Sequence, residues 1–218
     1  MGEREPTPRR RDLRSAGRRT EGRWIAWMIL VWLLAAFPDP ALAQEGSFAF
    51  QIRGGGTLPI LDFADDVRGW EESAGPGTTL SMGFTFPLYR ALGGYLGFGQ
   101  HRFACDEDVC PEGQALVSTG FDVALRLVLG REWIRPWLQG GLHTHRMEAR
   151  VRDEGGPRSL TSEGGGGYEV GAGLLVQVGE RTSLSPGIRF GLGNVPFETR
   201  PNLALRFLVF DLGLVVGF

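Results

Sequence analysis

The chain has 218 residues, of which 42% are apolar and 22% charged, with a formal net charge of −2, the size of one ordinary domain or two small ones. Its 34 glycines follow no G-X-Y period, which excludes collagen, and no apolar run reaches the ~18 residues of a membrane-spanning helix. A membrane barrel stays open, because strands that alternate apolar with polar residues keep a soluble-looking average.

The chain opens on a basic stretch with eight arginines before Trp24, and all 23 basic residues of the sequence are arginine. The apolar run Trp24 to Phe37 is 14 residues long, too short to span a bilayer as a helix but suited to the h-region of a secretory signal peptide. Pro38-Asp39-Pro40 breaks it, and Ala41 and Ala43 supply the small residues that signal peptidase needs, placing the mature start at Gln44. Residues 1–43 therefore read as a cleavable signal peptide and residues 44–218 as the mature domain, with an uncleaved anchor as the alternative. The polar Thr20-Glu21-Gly22 after Arg18-Arg19 fits a twin-arginine leader poorly. Removal of the leader leaves 15 basic and 20 acidic residues, an acidic balance that excludes nucleic-acid binding.

From Ser47 onward the sequence period is two. Leu80, Met82, Phe84 and Phe86 share one face of a strand, with Thr79, Ser81, Gly83 and Thr85 on the other. The same alternation predicts strands over residues 117–129, 168–178, 184–192 and 208–218, and less regular strands over 48–53, 92–102 and 133–144, which makes eight. The second face is built of Gly, Ser, Ala and a few charges. As the exterior of a soluble barrel it would aggregate, whereas as the lining of a narrow lipid-embedded barrel it fits, with the large apolar side chains facing lipid. A soluble sandwich with glycine-rich turns is the competing reading. Connections at 57–77, 103–115, 148–166 and 193–202 read as long and polar, those at 89–91, 130–132 and 179–182 as tight turns. Such asymmetry is that of outer-membrane barrels and puts both termini in the periplasm. Tyr89, Trp133, Trp137 and Phe218 are expected in a periplasmic aromatic girdle, and Phe103, Tyr168, Phe197 and Phe207 in an outer one.

On these residues the chain, over 46–218, resembles the small eight-stranded bacterial outer-membrane barrels, the OmpA-like transmembrane barrel and the broader outer-membrane protein β-barrel domain family. Phe210-Asp211-Leu212-Gly213-Leu214-Val215-Val216-Gly217-Phe218 is similar to that family's C-terminal insertion signal, with Phe210, Leu212, Leu214, Val216 and Phe218 as its outward residues. Arg135 to Leu142 is similar to a recurring strand of Pro, an aromatic and alternating glycines. The resemblance implies an all-β, eight-stranded antiparallel up-and-down transmembrane barrel in the bacterial outer membrane, inserted by the barrel-assembly machinery. Its surroundings would be outer-membrane lipid and lipopolysaccharide, as a monomer. No peptidoglycan-binding segment follows Phe218, so cell-wall tethering is not expected.

Four constellations could carry chemistry. Cys105 and Cys110, in a predicted external loop of an exported chain, are expected to form a disulfide; with His101 they lack a standard zinc spacing. His143 and His145 project to one side of a strand near Glu148, which admits a metal site or the base of a lipid A deacylase, against a reading as solvated rim histidines. Asp122, Arg126, Glu169, Arg189 and Asp211 share the inward parity of separate strands, which predicts a salt-bridged network filling the lumen. Gly54-Gly55-Gly56 and Gly164 to Gly167 lack the lysine and helix of a phosphate loop and read as flexible loop bases. The acids Asp62, Asp65, Asp66, Glu71, Glu72 and Asp106 to Asp108 read as solvated loop faces, with cation bridging to lipopolysaccharide as a second reading. No cofactor and no catalysis are expected; the alternatives are a narrow solute channel and a lipid A-modifying enzyme.

Overall fold

Period-two patterning resolves into nine strands in the computed structural model, which describes residues 48–60, 74–105, 110, 114–130, 132–153, 156–197 and 200–218. They are β1 (Ala49–Pro59), β2 (Ala74–Tyr89), β3 (Leu92–Cys105), β4 (Ala115–Val128), β5 (Ile134–Asp153), β6 (Gly156–Thr161), β7 (Gly165–Gln177), β8 (Thr182–Phe197) and β9 (Arg200–Gly217). Residues 1–43 and Gln44 lie outside the described residues.

Every pairing is antiparallel, and the ring runs β1-β2-β3-β4-β5-β7-β8-β9, closed where Ala49 to Pro59 of β1 pair with Gly217 to Phe207 of β9. Closure of eight strands removes every sheet edge from the ring. β6 is the ninth strand and stands outside it. β5 pairs with β7 from Ile134 to His145, then exchanges that partner for β6, which pairs with Glu148 to Asp153. At the exchange the Ser162 hydroxyl accepts from the Met147 amide at 2.8 Å and the Ser162 amide donates to the Met147 carbonyl at 2.8 Å, so both backbone groups of Met147 are satisfied there.

The lipid-facing assignment holds along each strand. On β4, Phe121, Val123 and Leu125 are 53–63% exposed, while Asp122, Ala124 and Arg126 between them are at most 8% exposed. Phe210, Leu212, Leu214, Val216 and Phe218 of β9 all face outward as well. An exposed belt of this size is stable only in a hydrocarbon environment.

The strands run further than their apolar belt. β2, β5, β8 and β9 have 16, 20, 16 and 18 residues, against the ~9–11 that a tilted strand needs to cross a bilayer. At the long-connection end the outward residues turn polar: Gln100 and Arg102 on β3, Thr144, Arg146 and Glu148 on β5, Asn194 on β8, Arg206 on β9. Over the same stretches the inward residues turn apolar, and Phe103, Leu116, Met147, Ala149, Val195, Leu205, Phe207 and Val209 form a buried cluster with Cys110 and Leu160. Along β5 the side-chain alternation continues through His143 to Ala149; its sign reverses where the outer solvent changes from lipid to water.

That reversal corrects two expected loops. Glu148 to Asp153 of β5 pair with Gly156 to Thr161 of β6, Gly165 already belongs to β7, and the 193–202 segment is strand on both sides, with Phe197 pairing with Arg200. Gly54-Gly55-Gly56 also lie within a strand, paired with both β2 and β9, because a side chain at Gly55 would meet the Phe210 carbonyl. Gly165 to Gly167 belong to β7. Arg90, in the expected 89–91 turn, and Gly130, at the start of the expected 130–132 turn, take positive φ values of 49° and 78°; Arg131 lies outside the described residues. Asp62, Asp65, Asp66, Glu71, Glu72 and Asp106 to Asp108 lie outside the described residues.

Val123 stands in the middle of the β4 belt, so Val123→Arg is expected to destabilise the folded barrel by about 2–4 kcal/mol. Urea-dependent folding into lipid vesicles measures it, and an effect near zero would contradict the lipid-facing assignment.

Candidate functional site

The inward parity of the ring assembles the chain's remaining chemistry in the lumen, in layers. Trp137 of β5 and Tyr95 of β3, each about 1% exposed, lie flat toward the tight-turn end. Room for them comes from glycine: a Cβ on Gly173 or Gly187 would strike the Trp137 ring, and one on Gly83 or Gly97 the Tyr95 ring. The same relation seats Phe207 over Gly191. Large inward side chains thus lie across neighbouring strands that carry none.

Two guanidiniums stack on these rings. The Arg53 carbon Cζ is 5.3 Å from both the Tyr95 and Trp137 ring centres, and that of Arg126 is 5.1 and 4.9 Å from them, close enough for cation–π attraction in a desolvated space. Gln51 Oε1 accepts from Arg53 Nη2 at 2.9 Å and from Arg126 Nη1 at 2.8 Å. Gln139 Oε1 accepts from Arg126 Nε and Nη2 at 3.0 and 2.6 Å, and its Nε2 donates to Glu169 at 3.4 Å. Arg189 then bridges two carboxylates, with Nη1 3.0 Å from Glu169 and Nε 2.7 Å from Asp211. The chain Arg53–Gln51–Arg126–Gln139–Glu169–Arg189–Asp211 draws on six strands of the ring.

Arg126, Glu169, Arg189 and Asp211 therefore meet in one network. Arg126 takes amide oxygens rather than carboxylates, and Asp122 lies apart from the network, beside His143 on the neighbouring strand. Gln51, Arg53 and Gln139 were not singled out from sequence, although each has inward parity; the irregular β1 and β5 patterns hid them. Buried among the described residues are three arginines (Arg53, Arg126, Arg189) and three carboxylates (Asp122, Glu169, Asp211), a formally neutral interior.

The histidines need the largest correction. His143 and His145 are 2% and 4% exposed, inside the lumen rather than solvated at a rim, since they continue the inward parity of Trp137 and Gln139. Glu148 has the opposite parity and faces outward, so it is no partner of theirs. His101 is buried beside them, its ring centre 5.9 Å from that of His145. Trp137, Phe103 and Phe207 likewise leave the expected aromatic girdles for the interior, while Tyr89, Trp133 and Phe218 at one end and Tyr168 toward the other stay outside. The side chain of Phe197 lies outside the described residues. Cys105 and Cys110 form a disulfide with Cα atoms 5.9 Å apart, at the edge of the apolar cluster.

Apolar side chains flank the polar lumen on both sides. Val128, Trp137 and Leu175 with Val215 pack at the tight-turn end, opposite the Phe103–Leu116–Met147 cluster. A cavity bordered by Arg126, Val128, Leu175 and Val215 has about 20 Å³, room for a single water.

A closed eight-stranded antiparallel sheet, apolar outside and charged within, defines a small barrel of the outer-membrane type. Solved structures share it. Neisserial surface protein A (NspA) superposes with a TM-score of 0.59 at 16% identity, over 80% of this chain and 100% of that one. Outer membrane protein OprG from Pseudomonas aeruginosa gives 0.50 at 12% identity, over 81% and 98%. These likenesses are of fold. No protein-family profile matches the chain, and no curated protein does.

Arg189→Met would leave Glu169 and Asp211 buried without their cation, at an expected cost of about 3–5 kcal/mol in urea-dependent folding. Adding Glu169→Gln and Asp211→Asn should restore most of it, and no restoration would refute the pairing. Gly187→Leu, whose side chain would take the place of the Trp137 ring, should abolish the gel-mobility shift on boiling that marks a folded barrel.

Proposed function

We propose that this chain is an integral outer-membrane barrel protein with a structural or surface-interaction role, without catalysis and without an open conducting path. One observation carries the reading: the charged layer at the centre of the lumen is flanked at both ends by packed apolar side chains. An eight-stranded barrel is just wide enough for its own side chains, and a water-filled path needs about 16 strands. Burial of His143 and His145 also counts against lipid A chemistry, because a base must lie within hydrogen-bond reach of its substrate.

Within this reading, residues 1–43 are a secretory leader cut between Ala43 and Gln44. The strand ends Ala49 and Gly217, which pair with each other at the tight-turn end, face the periplasm. The polar-surfaced strand extensions and the β5–β6 hairpin then project outside the cell, among lipopolysaccharide, and offer the surface for interaction. β9, with its outward Phe210 to Phe218, serves the assembly machinery as insertion signal, and the barrel works as a monomer.

Reconstituted in planar bilayers, the protein should give no stable conductance; steady, high-conductance openings would overturn the closed-lumen reading. Cells expressing it should show lipid A of unchanged mass and a membrane-fraction band that shifts on boiling. A soluble, unshifted band would end the membrane assignment.

A further inference from the structure

All three histidines of the chain come together beneath the apolar cluster. The rings of His143 and His145 are 4.0 Å apart between centres, and Phe207 packs against His101, His143 and His145 at 4.8, 6.2 and 5.8 Å. Two carboxylates approach this group from neighbouring strands, Asp122 from β4 and Glu169 from β7. One ligand-capable atom each from Asp122, His143 and Glu169 lie within 4.8 Å of one another, and all three residues are buried.

Hydrogen bonding sets the cluster apart from the network beside it. Glu169 and Asp211 are held by Arg189, whereas among the described residues no arginine lies within ion-pair distance of Asp122. The His143 imidazole is 2% exposed, the Leu192 backbone is its one, poorly aligned hydrogen-bond neighbour, and among the described residues neither ring nitrogen has a partner of good geometry. A buried imidazole with an unused lone pair, facing two buried carboxylates of which one lacks a cation, is a site built for a positive ion. Gly167 and Gly193 make its floor, since a Cβ at Gly167 would occupy the place of the His143 ring.

We propose that Asp122, His143 and Glu169 bind a divalent transition-metal ion of the zinc class inside the lumen. One imidazole nitrogen and two carboxylate oxygens suit such an ion, and this His/Asp/Glu set is harder than a thiolate site but softer than the all-oxygen cages of calcium. At metal–ligand distances of about 2.0–2.2 Å and near-tetrahedral angles, two ligands lie about 3.3–3.6 Å apart, so side-chain rotations that close the triad by about 1 Å assemble it. Outer contacts already orient the ligands: Arg189 and Gln139 fix Glu169. The Ser118 hydroxyl engages His145 Nδ1 at 2.9 Å, and among the described residues His145 Nε2, next to the triad, has no hydrogen-bond partner. With apolar layers on both sides, the ion is structural, bound as the barrel closes and retained afterwards.

The untagged mature barrel, folded in detergent in the presence of Co²⁺ and then washed with chelator, tests this. Co²⁺ should be retained at a single equivalent per folded chain, with visible d–d bands, and be replaced in parallel foldings by Zn²⁺ but not by Mg²⁺ or Ca²⁺. Asp122→Asn and His143→Gln should each weaken retention by at least about 100-fold, while Glu148→Gln, on the outer face, should retain it fully. Gel-mobility shift on boiling certifies folding of each sample. If a variant fails to fold, the stoichiometry of the unaltered chain decides by itself. A folded, unaltered barrel that retains no Co²⁺, or retention equal in folded Asp122→Asn or His143→Gln, overturns the site.

Discussion

One constraint governs this molecule: the side chains of an unbroken strand alternate between two faces, while the solvent on the outer face changes along its length. A strand cannot exchange its faces without slipping register by one residue, and register is locked by the neighbours on both sides. Where lipid gives way to water, therefore, the chain must reverse its chemistry on both faces at once. β5 shows it most fully, with Leu138 and Leu142 outside and Gln139 and His143 inside, followed by Arg146 and Glu148 outside and Met147 and Ala149 inside. The lower part is a membrane protein and the upper part a small soluble barrel, continuous in backbone.

Narrowness follows from the same closure. Eight strands leave an interior in which a tryptophan can lie flat only if the strands beneath it are bare, so Trp137 requires Gly173 and Gly187, and Phe207 requires Gly191. Compositional excess of glycine is thus a steric complement to a few large inward residues. The polar network gives this packing a register of its own. Arg126 spans from Gln51 on β1 to Gln139 on β5, and Arg189 from Glu169 on β7 to Asp211 on β9. A slip of any one of these strands by a residue would turn its member of the network toward lipid, where a charge is costly.

Sequence revealed most of this wherever the outer solvent is lipid. On β4, over Leu80 to Phe86 of β2 and over Phe210 to Leu214 of β9 the large apolar positions alternate, and the ring and the inward Asp122, Arg126, Glu169, Arg189 and Asp211 could be read from parity alone. What it obscured has one physical origin. Beyond the belt the outward residues are Arg, Glu, Asn and Thr, the composition of loops, so 148–166 and 193–202 looked like connections although Glu148 and Ala149, Ser159 and Leu160, and Asn194 and Val195 alternate in reverse. The same bias placed Trp137, Phe103 and Phe207 at membrane rims, since aromatic residues near strand ends invite that reading; their parity with Gln139, His101 and Asp211 would have sent them inward. Spatial partners on different strands, such as His101 with His145, are set by register, which spacing along one strand does not contain.

The apolar plug above the bilayer also bears on how the protein can change over time. In a barrel whose mouth is sealed by its loops, each loop residue is partly committed to that seal. Here the seal is made by Phe103, Leu116, Met147, Val195 and Leu205, all on strands. Cys110, tied to Cys105 by the disulfide, is the described connection residue that joins this cluster. Surface connections can in general lengthen, shorten or exchange sequence at little cost, and here the apolar cluster beneath them rests mainly on strand residues that such changes leave in place.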